Sequence, residues 1–489
     1  MLQDGSTNEI EVAIGTESKE SLMTEQRIDA PQDDDGSGPN FFGMILSAVI
    51  VALFAVLWIA QSKQPSPAVH LGFLVTQLAL VSIVMWQACD PFADAAQWIG
   101  KRFHIPGSVR GATLDAVASS MPELFSGIFF VLAAMSFFGH QKSPDSHATG
   151  AEGFGSTIAT CAGSAVYNMI LIPAFCALVI SFKRPSRPTI DVEPAVITRD
   201  GLWFVGCSVL LIVFLNADSM SWWMGVVLLA AYAAYVMHLY YDAKHHKKVV
   251  EHIHLYLDKH GVEVDHAELD ASVTSAGLRL ASTSTKLVRE TYSITRQYSE
   301  AGEDPPPDEA GILFGYAGVP LNMATCWMVI AVATLIVAGA CYYLVEVTLG
   351  IAEDLKVPAF FVAVILAAAA SSVPDTLLAI AAARRGDDSG AVSNAFGSNI
   401  FDICVCLAIP LFINSYLMGW QPVTLLENGE PIPGLVGLRY LLMAMTVVTL
   451  GVMWHRRQLT RTKALFLCGL YVIFIGYAVL GSLGKLTGS

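Results

Sequence analysis

A chain of 489 residues, 54% of them hydrophobic and 14% charged, with a mean hydropathy of +0.54, is too apolar for an ordinary soluble protein. What remains is a polytopic membrane protein, whose unit is an apolar run of about 20 residues that crosses the hydrocarbon core with every backbone group bonded internally. The net charge of −14 owes much to the first forty residues and says little about the rest.

Residues 1–40 hold Asp33-Asp34-Asp35 and several Glu among few apolar side chains, and read as a disordered acidic head. They lack the basic start and small-residue cleavage site of a signal peptide, so the run Phe41–Gln61 reads as a retained accessory helix, residues 41–61. Ten further spans follow: Val69–Cys89, Val109–Phe138, Gly155–Phe182, Gly201–Leu215, Met220–Tyr241, Leu321–Leu349, Ala359–Ala383, Ala391–Tyr416, Leu435–Trp454 and Ala464–Leu483. A polar loop, 242–319, divides them into a first half, 69–241, and a second half, 320–484. The expected fold is therefore an all-α membrane protein with eleven spans.

One set of alternate loops holds Lys101, Arg102, Lys183, Arg184, Arg187, Arg199, Arg384, Arg385, Arg456, Arg457, Arg461 and Lys463, while the other holds little beyond Lys63, Lys142 and Lys356. The positive-inside rule then puts the amino terminus and the long loop in the cytoplasm and the carboxyl terminus outside. The loop opens with Lys244-His245-His246-Lys247-Lys248 and carries His252, His254, His260 and His266. It reads as a solvated helix along the membrane face rather than a regulatory metal site. Asp304-Pro305-Pro306-Pro307-Asp308 reads as a stiff linker. The nine cysteines lie scattered in apolar segments without ligand spacing, as small buried hydrophobes do.

Two stretches stand out as copies: Ser119-Ser120-Met121-Pro122-Glu123 and Ser371-Ser372-Val373-Pro374-Asp375, each inside an apolar run. A carboxylate at bilayer depth costs roughly 2.5–3.5 kcal/mol on insertion scales, so two in matching places point to one cation site built from two halves. On a helix, Glu123 shares a face with Ser119 and Ser120, and with Ala116 a turn further back; Asp375 does so with Ser371, Ser372 and Ala368. Pro122 brings no N–H to the Ala118 carbonyl, nor Pro374 to that of Ala370, so each helix is expected to kink and free carbonyl oxygens. The candidate carbonyl ligands are those of Ala116, Ala118, Ala368 and Ala370. Calcium takes six to eight such hard oxygens at flexible distances, which favours it over magnesium.

A second pair of motifs follows, Gly163-Ser164-Ala165-Val166-Tyr167-Asn168 and Gly397-Ser398-Asn399-Ile400-Phe401-Asp402. Ser164 with Asn168, and Ser398 with Asp402, each line one helical face, and the glycines permit close helix approach. Aligning the serine pairs also aligns Pro106 with Pro358, so the halves read as duplicates. Five spans is an odd number, so the copies must be inverted, as in many secondary transporters.

These motifs, with Gly111-Ala112-Thr113, resemble the two alpha repeats of the calcium/cation antiporter superfamily, and within it the potassium-dependent sodium/calcium exchangers. The resemblance covers the ten-span core. It implies that Glu123 and Asp375 hold Ca2+ or Na+ with help from Ser119, Ser120, Ser371 and Ser372, and that Asp402 is tied to K+. Ser164, Asn168 and Ser398 complete the site. Ala118 and Ala370 stand where the family usually has Gly, and Ser371 where the second repeat more often has Thr. Asp115 is also unusual, and reads as facing a water-filled vestibule or pairing locally. Asp90, placed near the outer end of the preceding helix, resembles an acid of the potassium-dependent branch and otherwise reads as a helix end in water.

The sequence thus reads as an antiporter exchanging Ca2+ for Na+ with K+ moving alongside Ca2+, with no cofactor and no enzymatic nucleophile-base pair. A Ca2+/H+ antiporter is the nearest alternative, and a calcium channel or a non-transporting sensor a remote one. Its partners are the lipid membrane and inorganic cations, not nucleic acid, and plasma membrane is the default location.

Overall fold

With no water in the hydrocarbon core, a spanning segment must bond its own peptide groups, and the long apolar runs accordingly become helices. The computed structural model describes residues 41–63, 66–103, 105, 107–135, 150–184, 188–194, 196–278, 285, 288–289, 292–293, 296, 309–384, 386–427, 430–432 and 434–482. The acidic head, Pro106 and the proline-rich stretch 304–308 lie outside the described residues. In chain order the principal helices are α1 (Phe41–Lys63), α2 (Pro67–Arg102), α3 (Met121–Ala134), α4 (Gly150–Lys183), α5 (Leu202–Leu215), α6 (Trp222–His260), α7 (His266–Ser275) and α8 (Met323–Leu355). They continue with α9 (Val373–Arg384), α10 (Asp388–Phe401), α11 (Ala408–Leu417), α12 (Leu435–Trp454) and α13 (Arg461–Ser482).

Among the described residues, ten helices are long and apolar enough to cross a membrane, and an eleventh span is the bent pair Gly111–Ser119 and Met121–Ala134. The fold is the expected one: an all-α bundle of two inverted five-helix repeats plus α1. Only Gly43 of α1 is buried, so this helix lies on the outside of the bundle, resting on α2 with Phe54 stacked on Phe73. At the other extreme, the best apolar windows of α4, of Ala359–Arg384 and of Asp388–Leu417 are each 72% buried, which makes these three segments the core.

Loop contacts agree with eleven alternating crossings. Ile190–Asp191 pairs with Gln458–Leu459 on the face where α1 begins, and Ser219–Met220 pairs with Val423–Thr424 on the opposite face. A buried charge anchors the first of these faces: Arg199 bonds Asp200 through two nitrogens (2.7 and 2.9 Å), and Asp200 also accepts from Tyr235 and Ser393. Every partner in that group is satisfied, the condition under which a buried ion pair is tolerated.

Two local expectations are corrected. Asp90 is not at a helix end, because α2 runs on through Pro91 to Arg102. The histidine-bearing segment is not a lone solvated helix: α6 carries on past Tyr241 to His260, and α7 folds back on it. Val249, Ile253 and Leu257, spaced four apart, bury against Leu269 and Val273, and this apolar stripe decides the arrangement more than the flanking His and Lys do. Eight of the nine cysteines are buried and Cys468 is half-buried.

Two glycines set how closely the repeats approach. A Cβ on Gly163 would lie 2.3 Å from the Val364 carbonyl oxygen, and one on Gly397 would lie 2.6 Å from the Cα and carbonyl oxygen of Ala112. Each copy thus seats its Gly-Ser motif on the other copy's acid-bearing segment. Gly163→Ala and Gly397→Ala should each destabilise the detergent-solubilised protein by about 1–3 kcal/mol, as overpacking does. Gly206→Ala, where a Cβ meets nothing within 4 Å, should instead be neutral or stabilising. Thermal unfolding of the three variants checks the contrast.

Candidate cation site

The acid-bearing segments are built alike, turn for turn. In the first copy a turn at Gly107–Arg110 widens to a π turn at Gly111–Asp115, returns to α geometry at Ala116–Ser119 and breaks at Ser120. In the second, Ala359–Val362 leads to a π turn at Ala363–Ala367, then Ala368–Ser371 and a break at Ser372. Backbone angles at the breaks nearly coincide, with φ −91°, ψ 6° at Ser120 and φ −86°, ψ 0° at Ser372. Pro122 and Pro374 then fall in the first turn of the restarting helices, where no intrahelical donor is lost. Glu123 and Asp375 follow in that same turn, at the positive end of the helix dipole. The first copy bends by 44° at its break, whereas Ala359–Arg384 passes as one continuous span. The expected pair of kinks is therefore unequal.

The structure brings the sequence-predicted residues together. Ser119, Ser120, Glu123, Ser164, Asn168, Ser371, Ser372, Asp375, Ser398 and Asp402 have no exposed surface, so protein groups or cargo must satisfy them. Ser164 Oγ lies 3.0 Å from each of Glu123 Oε1, Asp402 Oδ2 and Ser372 Oγ, and Ser372 Oγ is 3.4 Å from Glu123 Oε1. Asn168 donates to Asp375 Oδ2 (3.2 Å) and to Ser164 Oγ (3.2 Å), while Ser398 donates to Asp375 Oδ1 (2.7 Å). Ser119 Oγ, 3.4 Å from Ser398 Oγ, links the first break to the second copy's motif. Each acid therefore draws on both repeats.

Of the four carbonyl candidates, Ala116 and Ala368 are already engaged. Each accepts a backbone N–H, from Ser120 (2.9 Å) and Ser372 (3.1 Å), and also a hydroxyl, from Ser119 (3.3 Å) and Ser371 (3.1 Å). Ala118 and Ala370, facing the prolines, are the better placed pair.

Hydrogen-bond counting shows what the site lacks. Ser164 has one hydroxyl proton and three acceptors at equal distance, so at least one of the two carboxylates around it goes without. Glu123 Oε2 and Asn168 Oδ1 are buried acceptors with no donor in hydrogen-bonding geometry. Negative oxygens short of protons suit a hard cation, and the donor set of carboxylate, hydroxyl and amide oxygens is that of Ca2+, Na+ or K+ rather than a soft metal. Among the described residues no three His, Cys, Asp or Glu side chains converge closely enough to hold a metal ion alone. The acids act through the hydroxyls and amide between them.

Two participants were missed from the sequence, Asn394 and Cys406, while a third residue, Asp115, was singled out there. Asn394, one turn before Ser398 on the same face, approaches Asp375; the i, i+4 spacing continued backwards would have found it. Cys406 lies with Sγ 3.7 Å from both Asp402 Oδ1 and the Ser120 carbonyl, and a cysteine carries no signal that separates it from the other buried ones. Asp115 pairs with Arg110 (Nε to Oδ2, 3.2 Å), five residues earlier, which is the local pairing the sequence allowed.

An inverted-repeat helical bundle with buried acids and hydroxyls from both copies at its interface defines a membrane-embedded pocket suited to inorganic cations. The family described as sodium/calcium exchanger protein matches residues 73–241 and 325–480, the two halves without the loop, and the chain belongs to that family. Relatives include sodium/potassium/calcium exchanger 3 of Rattus norvegicus, 28% identical over 160 residues, which are 32% of this chain and 22% of that protein. Sodium/potassium/calcium exchanger 5 of Homo sapiens is 24% identical over 400 residues, covering 74% of this chain and 73% of that one. The matches to the type 3 exchangers span 21–24% of those proteins' own length. Among solved structures, the H+/Ca2+ exchanger CAX is 14% identical over 91% of this chain and 93% of that chain, with a TM-score of 0.51, a likeness of fold.

Removing the Ser164 hydroxyl should weaken the site more than its size suggests, because it touches two acids at once. Ser164→Ala is expected to lower equilibrium Ca2+ binding at least about tenfold, roughly 1.4 kcal/mol. Thr446→Ala, whose hydroxyl bonds the Leu442 carbonyl within its own helix, should leave it unchanged. Radiolabelled Ca2+ binding to the purified variants decides it.

Proposed function

We propose that this chain is a secondary antiporter exchanging Ca2+ for Na+, with K+ moving alongside Ca2+. The observation that carries the reading is the convergence of Glu123, Asp375 and Asp402 on hydroxyls from both repeats, with buried acceptor oxygens left over. The names of the relatives, sodium/potassium/calcium exchangers, support the choice of ions. Ser119, Ser120, Ser371, Ser372, Ser164, Asn168 and Ser398 would ligate together with the acids.

Charge counting supports K+. Three ionised carboxylates balance one Ca2+ and one K+, whereas two would balance Ca2+ alone. Asp402 occupies in the second copy the place that Asn168 holds in the first, so the odd charge falls at one end of the site. Only a loaded site, with its carboxylates neutralised, crosses the bilayer region cheaply, and this obliges exchange rather than leak. The two acid-bearing segments would move against the core helices to open the site to alternate sides. In this reading the amino terminus and long loop face the cytoplasm, the carboxyl terminus lies outside, and the plasma membrane is the default location.

A second reading has one specific observation in its favour. A proton on either Glu123 or Asp402 would also satisfy the geometry around Ser164, which is what a Ca2+/H+ antiporter would use.

Radiolabelled Ca2+ uptake into Na+-loaded proteoliposomes, with and without external K+, separates the two. Uptake should require the Na+ gradient and K+, and should vanish in Glu123→Gln. Asp402→Asn should keep exchange and lose its K+ dependence. Uptake driven by a pH gradient alone would replace this assignment with the proton-coupled one.

A further inference from the structure

Away from the ion site, three successive residues at the start of α10 are held by the first repeat. Asp387 Oδ2 accepts from Arg110 Nη2 (3.0 Å), Asp388 Oδ1 accepts from Arg184 Nη2 (2.6 Å), and Ser389 donates to Glu193 Oε2 (2.9 Å). The Arg110 side chain is 14% exposed and those of Asp115 and Asp387 are 9% and 19% exposed, so this is a largely desolvated triad rather than a surface pair. Beside it, a Cβ on Gly111 would lie 2.7 Å from the Gly390 carbonyl oxygen, which shows how tightly the two repeats close at this face.

Arg110 binds two carboxylates that belong to different bodies. Asp115 is five residues along its own segment, whereas Asp387 caps α10 of the other repeat, its Oδ1 accepting from Gly390 N (2.7 Å). If the repeats separate at this face, the bond to Asp387 breaks and the bond to Asp115 does not. A guanidinium leaving one partner then still has the other, and no bare charge is created in a poorly hydrated place. The triad is also linked to the ion site through a chain of hydrogen bonds. The Asp115 carbonyl accepts from Ser119 Oγ (2.9 Å), Ser119 meets Ser398, and Ser398 bonds Asp375. In the second copy the places of Arg110 and Asp115 hold Val362 and Ala367, so this arrangement exists at one face alone.

We propose that Arg110 is a positioning residue of the transport cycle: a tethered cation that latches the two repeats shut at this face through Asp387, with Asp115 as the resting partner that lets the latch release. The proposal deepens the antiporter reading and rests on it for its place in a cycle, while its geometry is independent of which ions are carried. It gives the two acids opposite effects. Losing Arg110 or Asp387 frees the face to open. Losing Asp115 strands Arg110 on opening and so holds the face shut. A merely structural cluster would weaken in the same direction whichever member was removed.

Native Cys406, buried against Asp402 and the Ser120 carbonyl, reports opening without any transport assay. The full chain is reconstituted in one orientation, a membrane-impermeant cationic methanethiosulfonate is added to the Arg110 face, and modification of Cys406 is followed by peptide mass spectrometry. Relative to wild type, Arg110→Gln and Asp387→Asn should raise the rate at least about fivefold, the lower end of ordinary coupling between sites, and Asp115→Asn should lower it by a similar factor. Asn caps a helix as well as Asp does, so Asp387→Asn keeps the cap and leaves the Arg110–Asp115 pair intact, a test that does not depend on Arg110→Gln folding. An unchanged rate in Asp387→Asn or Asp115→Asn, or both moving the same way, would overturn the latch. Opposite shifts in a protein that fails to exchange Ca2+ for Na+ would uphold the latch and sink the ion assignment, so the two failures are distinguishable.

Discussion

A carboxylate with no access to water must be met by donors, by a cation or by a proton, and the centre of this molecule is arranged around that requirement. The prolines place Glu123 and Asp375 in the first turn of restarting helices, where the backbone already favours negative charge. The π turns ahead of them give the opposite repeat a backbone surface to lie on, and Gly163 and Gly397 have no side chain that would hold the repeats apart there. Only with that close approach can Ser164 touch an acid of its own repeat and one of the other at once. The breaks, the glycines and the hydroxyls are thus parts of one solution. The site remains short of protons even so, and this shortfall is what suits it to a cation.

Duplication explains most of the architecture, and its departures are where function is specified. The acid-bearing segments match turn for turn, yet the first is bent by 44° at its break and the second passes as one continuous span. Asn168 in one copy is Asp402 in the other, which adds a third charge on one side of an otherwise paired site. Arg110 and Asp115 have only Val362 and Ala367 as counterparts, so the two faces of the protein cannot open by identical means. An inverted repeat with no such differences would be symmetric between its two sides.

The span count, the inverted halves and nearly the whole set of residues that meet at the centre were legible in the sequence, because membrane burial makes each of them conspicuous. An acid within twenty apolar residues has no bland explanation when it occurs twice, and helical spacing then names its neighbours. What was not legible concerns groups whose partners are remote in sequence. Asp115 looked anomalous until Arg110 and Asp387 were seen around it, and Asp387 is reached only through the packing of the second repeat on the first. The apolar stripe Val249, Ile253 and Leu257 was overlooked among histidines and lysines, although it pairs α6 with α7. Cys406 could not be distinguished from eight other cysteines by type or spacing.

The sequence by itself determined that this is a duplicated, inverted bundle of membrane helices with acids at its centre, since hydropathy, parity and local helical periodicity need no knowledge of which helix touches which. Tertiary structure alone decided that one hydroxyl serves an acid of each repeat, and that the repeats are tied together at one face. These depend on distances between segments hundreds of residues apart, which close packing sets and no local pattern encodes.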